Sequence, residues 1–269
     1  MALMHVNFFS ESLGMAVAAD VILPQRASKQ IGMAAAARTG KHPVLWLLHG
    51  ASDNHTIWQR RTSIERYAAP LGLAVVMPNA HLSSYTDMAH GGKYFTYISQ
   101  ELPRVLRGFF PLSDKREDNY IAGLSMGGAG CLKIGLANPE KYSAIGCFSA
   151  GMSGLTEPNP AMAERFKKRN AMIYGGREIA GTVDDTPFQA KQIVEKGLPA
   201  PRIFHACGTE DFALTGARAT RDFMATFPGN PFEYTYLEAP GAHTWEFWDE
   251  HIQDFLKFLG LKSVEGIRN

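Results

Sequence analysis

The sequence has few cysteines, almost no net charge and no long apolar runs, and each of these features argues against a class of protein. Three cysteines, Cys131, Cys147 and Cys207, are spread over 269 residues, which favours reduced, buried thiols over a disulfide scaffold. The 27 basic and 26 acidic residues leave a net charge of +1, so nucleic-acid binding has no electrostatic support. No apolar run reaches the roughly 18 residues that a membrane helix needs.

Targeting and metal-binding patterns are also missing. The first 14 residues have neither a basic start nor a long apolar stretch, so we expect a soluble, cytoplasmic protein with no membrane partner. The histidines show no H-E-x-x-H or paired-cysteine spacing, which predicts no metal and no cofactor. With 45% hydrophobic residues, the chain can form one large core, so we expect a single domain over residues 1–269. A homo-oligomer is compatible with this composition.

Apolar runs alternate with helical patterns along most of the chain. This order predicts an α/β fold with a mostly parallel, doubly wound sheet flanked by helices. Two antiparallel strands are expected first, at 4–9 and 14–23, and an exposed connection at 25–42 with a helical turn at 34–37. The expected buried strands are 44–48, 73–77, 144–149, 202–207 and 232–237, with a further strand and a sharp turn together at 119–127. The expected helices are 97–110, 129–137, 215–227 and 245–259.

A long irregular segment, residues 150–200, interrupts this alternation. It carries two or three weak helical patterns and lies before the strand at 202–207. Long segments of this kind in compact domains usually have a function. We therefore expect it to form a cap or lid over the active site.

The most informative motif is Gly123-Leu124-Ser125-Met126-Gly127, followed by Gly128. It lies between an apolar strand and a helix-like segment, which is the context of a nucleophile elbow. In such an elbow the serine has a strained backbone conformation, and glycines allow the strand and the helix to approach closely. The motif therefore predicts Ser125 as a nucleophile.

A serine nucleophile needs a histidine base and a carboxylate that orients it, and both should follow the serine in the chain. His243 lies after the last predicted strand and is preferred over His251, within the last helix, and His205, within a strand. Asp211 follows the strand at 202–207 and is preferred over its neighbour Glu210 and over Asp184 and Asp185 in the 150–200 segment.

Two backbone N–H groups should stabilise the oxyanion of the reaction. The residue after the nucleophile supplies the first, which is Met126. The loop after the strand at 44–48 should supply the second, and Ala51 is the expected donor because Gly50 lets this loop come close. His49 is interpreted as a structural residue.

Together these motifs resemble the esterase D and tributyrin esterase branch of the α/β-hydrolases, which also contains S-formylglutathione hydrolases, feruloyl esterases and mycolyltransferases. The resemblance extends from Phe8 to about Leu259. It implies Ser125, Asp211 and His243 as a catalytic triad, Ala51 and Met126 as oxyanion donors, and a preference for short acyl chains. The motifs that carry it are His49-Gly50, Tyr85-Thr86-Asp87, the segment 123–128, Cys207-Gly208-x-x-Asp211-Phe212 and His243-x-Trp245-x-x-Trp248.

Several aromatic residues lie near these motifs in the sequence and could form the wall of a small acyl pocket. The sequence thus favours a serine carboxylesterase acting on short-chain acyl esters. An S-formylglutathione hydrolase, which is a thioesterase, and an acetyl-sugar or xylan deacetylase use the same machinery. A binding protein without catalysis and a lyase stay as further alternatives. The aromatic residues expected at the substrate are Trp58, Tyr85, Tyr94, Phe95, Phe212 and Trp245.

Overall fold

The computed structural model describes residues 1–27, 31, 37, 39–157 and 160–263. One sheet of eight strands organises this part of the chain, in the order β1-β2-β4-β3-β5-β6-β7-β8. Strands β1 and β2 pair antiparallel with each other, β2 pairs antiparallel with β4, and all other pairs are parallel. The strands are β1 (Ala2–Ser10), β2 (Met15–Leu23), β3 (Val44–Leu48), β4 (Ala74–Pro78), β5 (Asn119–Leu124), β6 (Ala144–Phe148), β7 (Arg202–Gly208) and β8 (Thr235–Ala239).

Helices cover both faces of the sheet. A short 3₁₀ turn, Ala69–Leu71, follows α2, and a second one, Arg116–Asp118, precedes β5. A π-helical turn, Tyr97–Glu101, joins α3 to α4. The helices are α1 (Ile57–Arg61), α2 (Ile64–Ala68), α3 (Tyr94–Thr96), α4 (Leu102–Phe109), α5 (Met126–Ala137), α6 (Pro160–Tyr174), α7 (Thr186–Glu195), α8 (Leu214–Met224) and α9 (Trp245–Phe258).

The central strands are buried on both faces, which explains their unbroken apolar sequences. In β3, Trp46 and Leu48 pack into the core on one side of the sheet, while Leu45 and Leu47 pack into the core on the other side. This alternation follows from the period of two in a strand. The three cysteines are free, buried thiols.

The predicted fold class is confirmed, with differences at the element boundaries. The last strand begins at Thr235 rather than at 232, because residues 230–233 form a turn in which the N–H of Glu233 donates to the carbonyl of Asn230 at 3.0 Å. The helix after the elbow begins three residues earlier than expected, at Met126. The helical turn expected at 34–37 lies outside the described residues except for Ala37. Among the helices described, none is long and apolar enough to cross a bilayer.

The segment 150–200 carries α6 and α7. The side chain of Asp185 accepts a hydrogen bond from the backbone N–H of Phe188 and so caps α7. The segment packs beside α5, where Asp184 is paired with Lys133. Whether the segment moves as a lid stays a prediction.

Candidate active site

Ser125 occupies a sharp turn between β5 and α5. Its φ is +53° and its ψ is −118°, a strained conformation for a residue with a side chain. A Cβ on Gly123 would lie 2.5 Å from the carbonyl oxygen of Gly127, and a Cβ on Gly127 would lie 2.6 Å from the carbonyl oxygens of Leu48 and His49. Only glycine fits in this contact between β5, α5 and the end of β3. The glycines of the motif therefore position the serine hydroxyl at the carboxyl edge of the sheet.

The hydroxyl of Ser125 is joined to two other polar side chains. His243 Nε2 lies 2.9 Å from Ser125 Oγ, and His243 Nδ1 lies 2.9 Å and 3.0 Å from the two carboxylate oxygens of Asp211. With Nδ1 protonated and donating to Asp211, the imidazole can accept the serine proton at Nε2. The three residues expected to act together are therefore within hydrogen-bond distance of one another.

The loops that follow β7 and β8 are in contact, and this contact places Asp211 beside His243. The N–H of Glu210 donates to the carbonyl of Gly241 at 2.9 Å, across the ends of β7 and β8. A Cβ on Gly208 would lie 2.1 Å from that same carbonyl oxygen, so these loops are in direct contact. The acid and the base follow neighbouring parallel strands, whose carboxyl ends meet at one edge of the sheet.

Asp211 is held as a carboxylate. Burial acts to raise its pKa, but hydrogen bonds from His243, from Ser149 and from the N–H of Ala213 outweigh burial, so the pKa lies below its usual range. Trp248 supports this arrangement because its indole N–H donates to Ser149 Oγ at 2.8 Å. An ionised Asp211 can orient His243 and stabilise the imidazolium that forms when the base takes a proton.

The aromatic ring of Phe212 lies against the histidine. Its centroid is 4.2 Å from that of His243, at an interplanar angle of 36°, and the ring of Trp248 meets His243 edge-on at 5.0 Å. Phe212 is nevertheless 65% exposed. It therefore restricts the imidazole on one side while forming part of the entrance to the site.

The expected oxyanion donors lie on either side of the serine. Met126 is the first residue of α5, where backbone N–H groups have no partner within the helix. Ala51 and Met126 both line the cavity that contains Ser125. A Cβ on Gly50 would lie 2.6 Å from Leu124 Cδ1 and 3.6 Å from Ser125 Cβ, so the Ala51 loop is packed against the elbow.

His49 is a buried structural residue beside this loop. Its Nδ1–H donates to the carbonyl of Gly50 at 2.7 Å, and its Nε2 accepts from the N–H of Ala80 at 2.9 Å. Burial lowers the pKa of His49 to about 4, which keeps the ring neutral near pH 7. The ring therefore holds the oxyanion loop against the segment that follows β4.

The less favoured candidates have other partners. His205 Nδ1 contacts the Tyr234 hydroxyl at 2.7 Å, and His251 pairs with Asp254 at 2.9 Å. Asp184 forms an ion pair with Lys133, and Glu210 is exposed. In the structure, therefore, none of these competes with Asp211 and His243 for Ser125.

Of the six aromatic residues predicted to surround the substrate, the fully buried Trp58 and Tyr85 contradict the prediction, and for the others it stays a prediction. Of the six, Phe212 alone is among the described residues that line the cavity. Trp58 and Tyr85 are buried and donate to the carbonyls of Leu48 and His49, so they brace the end of β3 rather than face the substrate.

The other three aromatic residues pack within the fold. The side chains of Tyr94 and Phe95 belong to the core, and the Tyr94 hydroxyl lies 2.8 Å from His81 Nδ1. Trp245 stands edge-on against Trp58 and Trp248. These three rings are not among the described residues that line the cavity, although they lie near the catalytic loops in the sequence.

The cavity beside Ser125 has a volume of about 250 Å³, and much of its wall comes from residues that the sequence did not single out for binding. Lys133 could have been noticed as the one charged residue in the otherwise apolar helix α5. No comparable feature of the sequence indicated that α6 would contribute to the cavity wall. The described lining residues beyond Ser125, Ala51, Met126 and Phe212 are Ser84, Ala129, Lys133, Gly151, Ser153, Phe166, Arg169, Tyr174, Asp184 and Thr186.

Comparisons with known proteins agree with this geometry. An acetyl esterase of Caldicellulosiruptor saccharolyticus is 28% identical over 277 residues, which cover 98% of this chain and 100% of that protein. The solved structure of FphF, a fluorophosphonate-binding serine hydrolase of Staphylococcus aureus, is 32% identical with a TM-score of 0.82, and the match covers 96% of this chain and 98% of that one.

A second solved structure, the S-formylglutathione hydrolase FrmB of Staphylococcus aureus, is 31% identical with a TM-score of 0.78 at the same coverage, 96% and 98%. The profile of the family "Esterase", described as "Putative esterase", matches residues 10–259. The chain therefore belongs to this esterase family, and it is a serine hydrolase of carboxylic ester bonds built on the α/β-hydrolase fold.

Proposed function

We propose that this protein is a carboxylesterase that hydrolyses short-chain acyl esters through Ser125, His243 and Asp211. One observation carries the proposal: a continuous chain of hydrogen bonds runs from Asp211 through His243 to a serine held at positive φ. A serine hydroxyl is a poor nucleophile until a base removes its proton, and this arrangement supplies the base in the correct orientation.

The reaction would proceed in two halves. His243 Nε2 takes the proton of Ser125 as Oγ attacks the ester carbonyl, and the N–H groups of Ala51 and Met126 stabilise the oxyanion. His243 then gives the proton to the departing alcohol, which leaves an acyl-enzyme. A water molecule, deprotonated by the same imidazole, attacks the acyl carbonyl. The bond between the acyl carbon and Ser125 Oγ then breaks, the carboxylic acid leaves, and His243 returns the proton to Oγ.

The cavity supports a preference for short acyl groups. Its volume is about 250 Å³, and its wall contains half-buried polar side chains that include Ser84, Ser153 and Arg169. A long apolar tail would remove water from these groups without replacing their hydrogen bonds, which is unfavourable. A small acyl group avoids most of this cost.

A thioesterase acting on S-formylglutathione is the second candidate. The similarity to FrmB favours it, as does the polar wall of the cavity. Thioester and ester hydrolysis need the same nucleophile, base and oxyanion donors, so turnover of S-formylglutathione against p-nitrophenyl acetate would separate the two candidates. The similarity to an acetyl esterase supports including acetyl esters among the substrates.

The test of the proposed mechanism is Ser125→Ala. Loss of a triad nucleophile typically lowers turnover by about a millionfold, and a methyl group in place of the hydroxyl should leave the fold intact. Turnover of p-nitrophenyl acetate and the far-ultraviolet circular dichroism spectrum should be measured together. Activity within tenfold of the wild type, with an unchanged spectrum, would refute the role of Ser125.

We also propose a reducing, cytoplasmic compartment for this activity. The three free, buried cysteines support it, since thiols of this kind persist most readily where disulfides do not form. Alkylation of the protein under native and denaturing conditions, with mass spectrometry of the thiols from freshly lysed cells, would test their redox state.

A further inference from the structure

We propose that Arg169 forms an anion-binding subsite in the cavity of Ser125, and that the preferred ester carries a carboxylate. The inference rests on the proposed function, because it names the chemical class of the substrate at the same site. Arg169 lies in α6 and shares the cavity wall with Ser125 and Met126. A substrate bound at the serine would therefore be close to the guanidinium.

The guanidinium of Arg169 has no counter-ion among the described residues. Its Nε is buried and makes no hydrogen bond there, and no carboxylate lies within ion-pair distance of the side chain. Burial lowers the pKa of Arg169, yet an arginine stays charged at neutral pH. A half-buried charge without a partner is unfavourable, so a substrate anion would satisfy a group that the protein itself leaves unpaired.

The other positively charged side chains described in and around the cavity wall each contact a carboxylate. Lys133 Nζ lies 2.7 Å from Asp184 Oδ1, and the guanidinium of Arg177 lies 3.3 Å from Asp184 Oδ2. Lys133 and Arg177 therefore share one negative charge, which leaves this part of the wall net positive. Among the described lining residues Arg169 adds a positive charge with no carboxylate partner, so an anionic substrate group would be attracted to this side of the cavity.

The position of the guanidinium is also restrained. Its central carbon lies 4.1 Å from the ring centroid of Phe166, one helical turn earlier in α6. Stacking on an aromatic face leaves the N–H groups at the edge of the guanidinium free to donate, and a planar fork matches a carboxylate with two hydrogen bonds. The guanidinium of Arg169 is therefore better suited to bind a carboxylate than a neutral polar group.

The carboxylate could belong to the acyl chain or to the leaving group, and two matched pairs of esters distinguish these sources. For the leaving group, 4-acetoxybenzoate is compared with 4-acetoxybenzamide. For the acyl chain, mono-4-nitrophenyl glutarate is compared with the 4-nitrophenyl ester of glutaramic acid. Each pair differs in charge at nearly constant size, so the ratio of kcat/KM within a pair reports recognition of the carboxylate.

The full chain is assayed as the wild type, Arg169→Gln, Arg169→Lys and Lys168→Gln. Lys168 is an exposed neighbour in α6, so Lys168→Gln removes one positive charge without touching the cavity. We expect the wild type to prefer the carboxylate in one pair by roughly tenfold to thirtyfold, as charge-assisted hydrogen bonds allow. The ratio should fall to about one in Arg169→Gln, recover in part in Arg169→Lys, and persist in Lys168→Gln.

Two results would overturn the subsite: a ratio near one in both pairs for the wild type, or an unchanged ratio in Arg169→Gln.

A second experiment measures binding and does not depend on turnover. The Ser125→Ala protein is titrated calorimetrically with the mono-anilide of glutaric acid and with mono-acetylated 4-aminobenzoate, the amide counterparts of the two acids. Loss of binding on adding Arg169→Gln supports the subsite, and equal binding refutes it. If the wild type hydrolyses none of the esters, the proposed esterase fails, while the titration still decides the subsite.

Discussion

The ammonium group of Lys133 lies 2.7 Å from the carboxylate of Asp184, and both side chains are almost fully buried. Lys133 also donates to the carbonyl of Ser84 at 2.9 Å and to the hydroxyl of Thr86. Three parts of the chain meet at this pair: the helix that follows the nucleophile, the loop after β4 and the segment 150–200. The pair therefore fixes the cavity wall to the helix that carries the elbow.

Breaking this pair should destabilise the protein. We expect Lys133→Met to lower the free energy of unfolding by about 3–5 kcal/mol, because Asp184 would lose its closest buried counter-charge. Urea unfolding at pH 7 would measure it. Lys257→Met is the matched control, since Lys257 pairs with Asp254 at the surface with 77% of its side chain exposed. That change should cost less than about 1 kcal/mol, and equal costs for the two variants would contradict the role of the buried pair.

Asp211 should be essential, whereas its neighbour should not. Asp211→Asn removes the acceptor that selects the Nδ1–H tautomer of His243, and by analogy with other triads it should lower kcat by roughly ten-thousandfold. Glu210→Gln makes the same chemical change at an exposed position and should stay within about twofold of the wild type. Initial rates with p-nitrophenyl acetate compare the two. If Glu210→Gln proved the more damaging change, the acid would be misassigned.

The strands and the elbow could be predicted because their signals are local. Buried parallel strands give unbroken apolar runs, such as Val44–Leu48, and a strained serine between strand and helix needs glycines at fixed positions. The cavity wall could not be predicted in this way. It depends on contacts between residues far apart in the chain, such as Lys133 with Asp184 and the approach of α6 to Ser125.

The buried aromatic residues are a second feature whose position could not be predicted from the sequence. Trp58 and Tyr85 lie near the catalytic motifs in sequence, but their polar atoms reach the carbonyls of Leu48 and His49. A buried indole N–H or phenol hydroxyl usually has a hydrogen-bond partner, and a backbone carbonyl at the end of β3 is that partner for each of these two rings. This tertiary contact decides on which side of the loop a ring lies, and the sequence pattern does not predict the contact.

Gly127 should tolerate no side chain. A Cβ there would lie 2.6 Å from two backbone oxygens, those of Leu48 and His49, so Gly127→Ala must displace α5 or the oxyanion loop. We expect a loss of about 2 kcal/mol or more in stability, as overpacking typically causes, together with a large loss of kcat. Thermal unfolding and ester turnover would show both.

Gly216→Ala is the control for this substitution. Gly216 also lies in a helix, α8, but a Cβ there would meet no heavy atom within 4 Å. Alanine should stabilise the helix by about 0.5–1 kcal/mol and leave turnover unchanged. A Gly127→Ala protein as stable and active as Gly216→Ala would show that the close contact at the elbow is not required.

The buried imidazole of His49 should make the fold sensitive to mild acid. Burial lowers its pKa to about 4 in the folded protein, against about 6.5 in an unfolded chain. Its contribution to stability is therefore complete above about pH 6.5 and is lost as the pH falls toward 4, because the unfolded chain takes up the proton first. Between pH 7 and pH 5 this residue should cost about 2 kcal/mol.

His49→Gln should flatten that dependence, since an amide can occupy the site without titrating. His90→Gln, at an exposed position, should keep the wild-type slope. Urea unfolding at pH 7 and at pH 5 gives the difference for each protein. A His49→Gln protein that loses as much stability over this interval as the wild type would show that the acid sensitivity arises elsewhere.

The preference for acyl length tests the role of the polar cavity wall. We expect kcat/KM to rise from acetate to butyrate esters, since each methylene that fits adds up to about 0.8 kcal/mol of binding. It should then fall by octanoate, where the chain would lie against Ser84, Ser153 and Arg169 and displace water from them. The measurement is the ratio of kcat/KM for p-nitrophenyl butyrate to that for the octanoate.

Replacing Phe166 by alanine distinguishes the effect of the polarity of the cavity wall on acyl length from the effect of the size of the cavity. Phe166 lines the cavity, and Phe166→Ala should enlarge it without removing any charge. If the polar wall limits chain length, this variant keeps an optimum at about two to four carbons, because the added space leaves Ser153 and Arg169 in place. If the optimum moves to eight carbons, the aromatic ring sets the limit by its volume. An optimum at eight carbons in the wild type would contradict both explanations and would place the acyl chain outside this cavity.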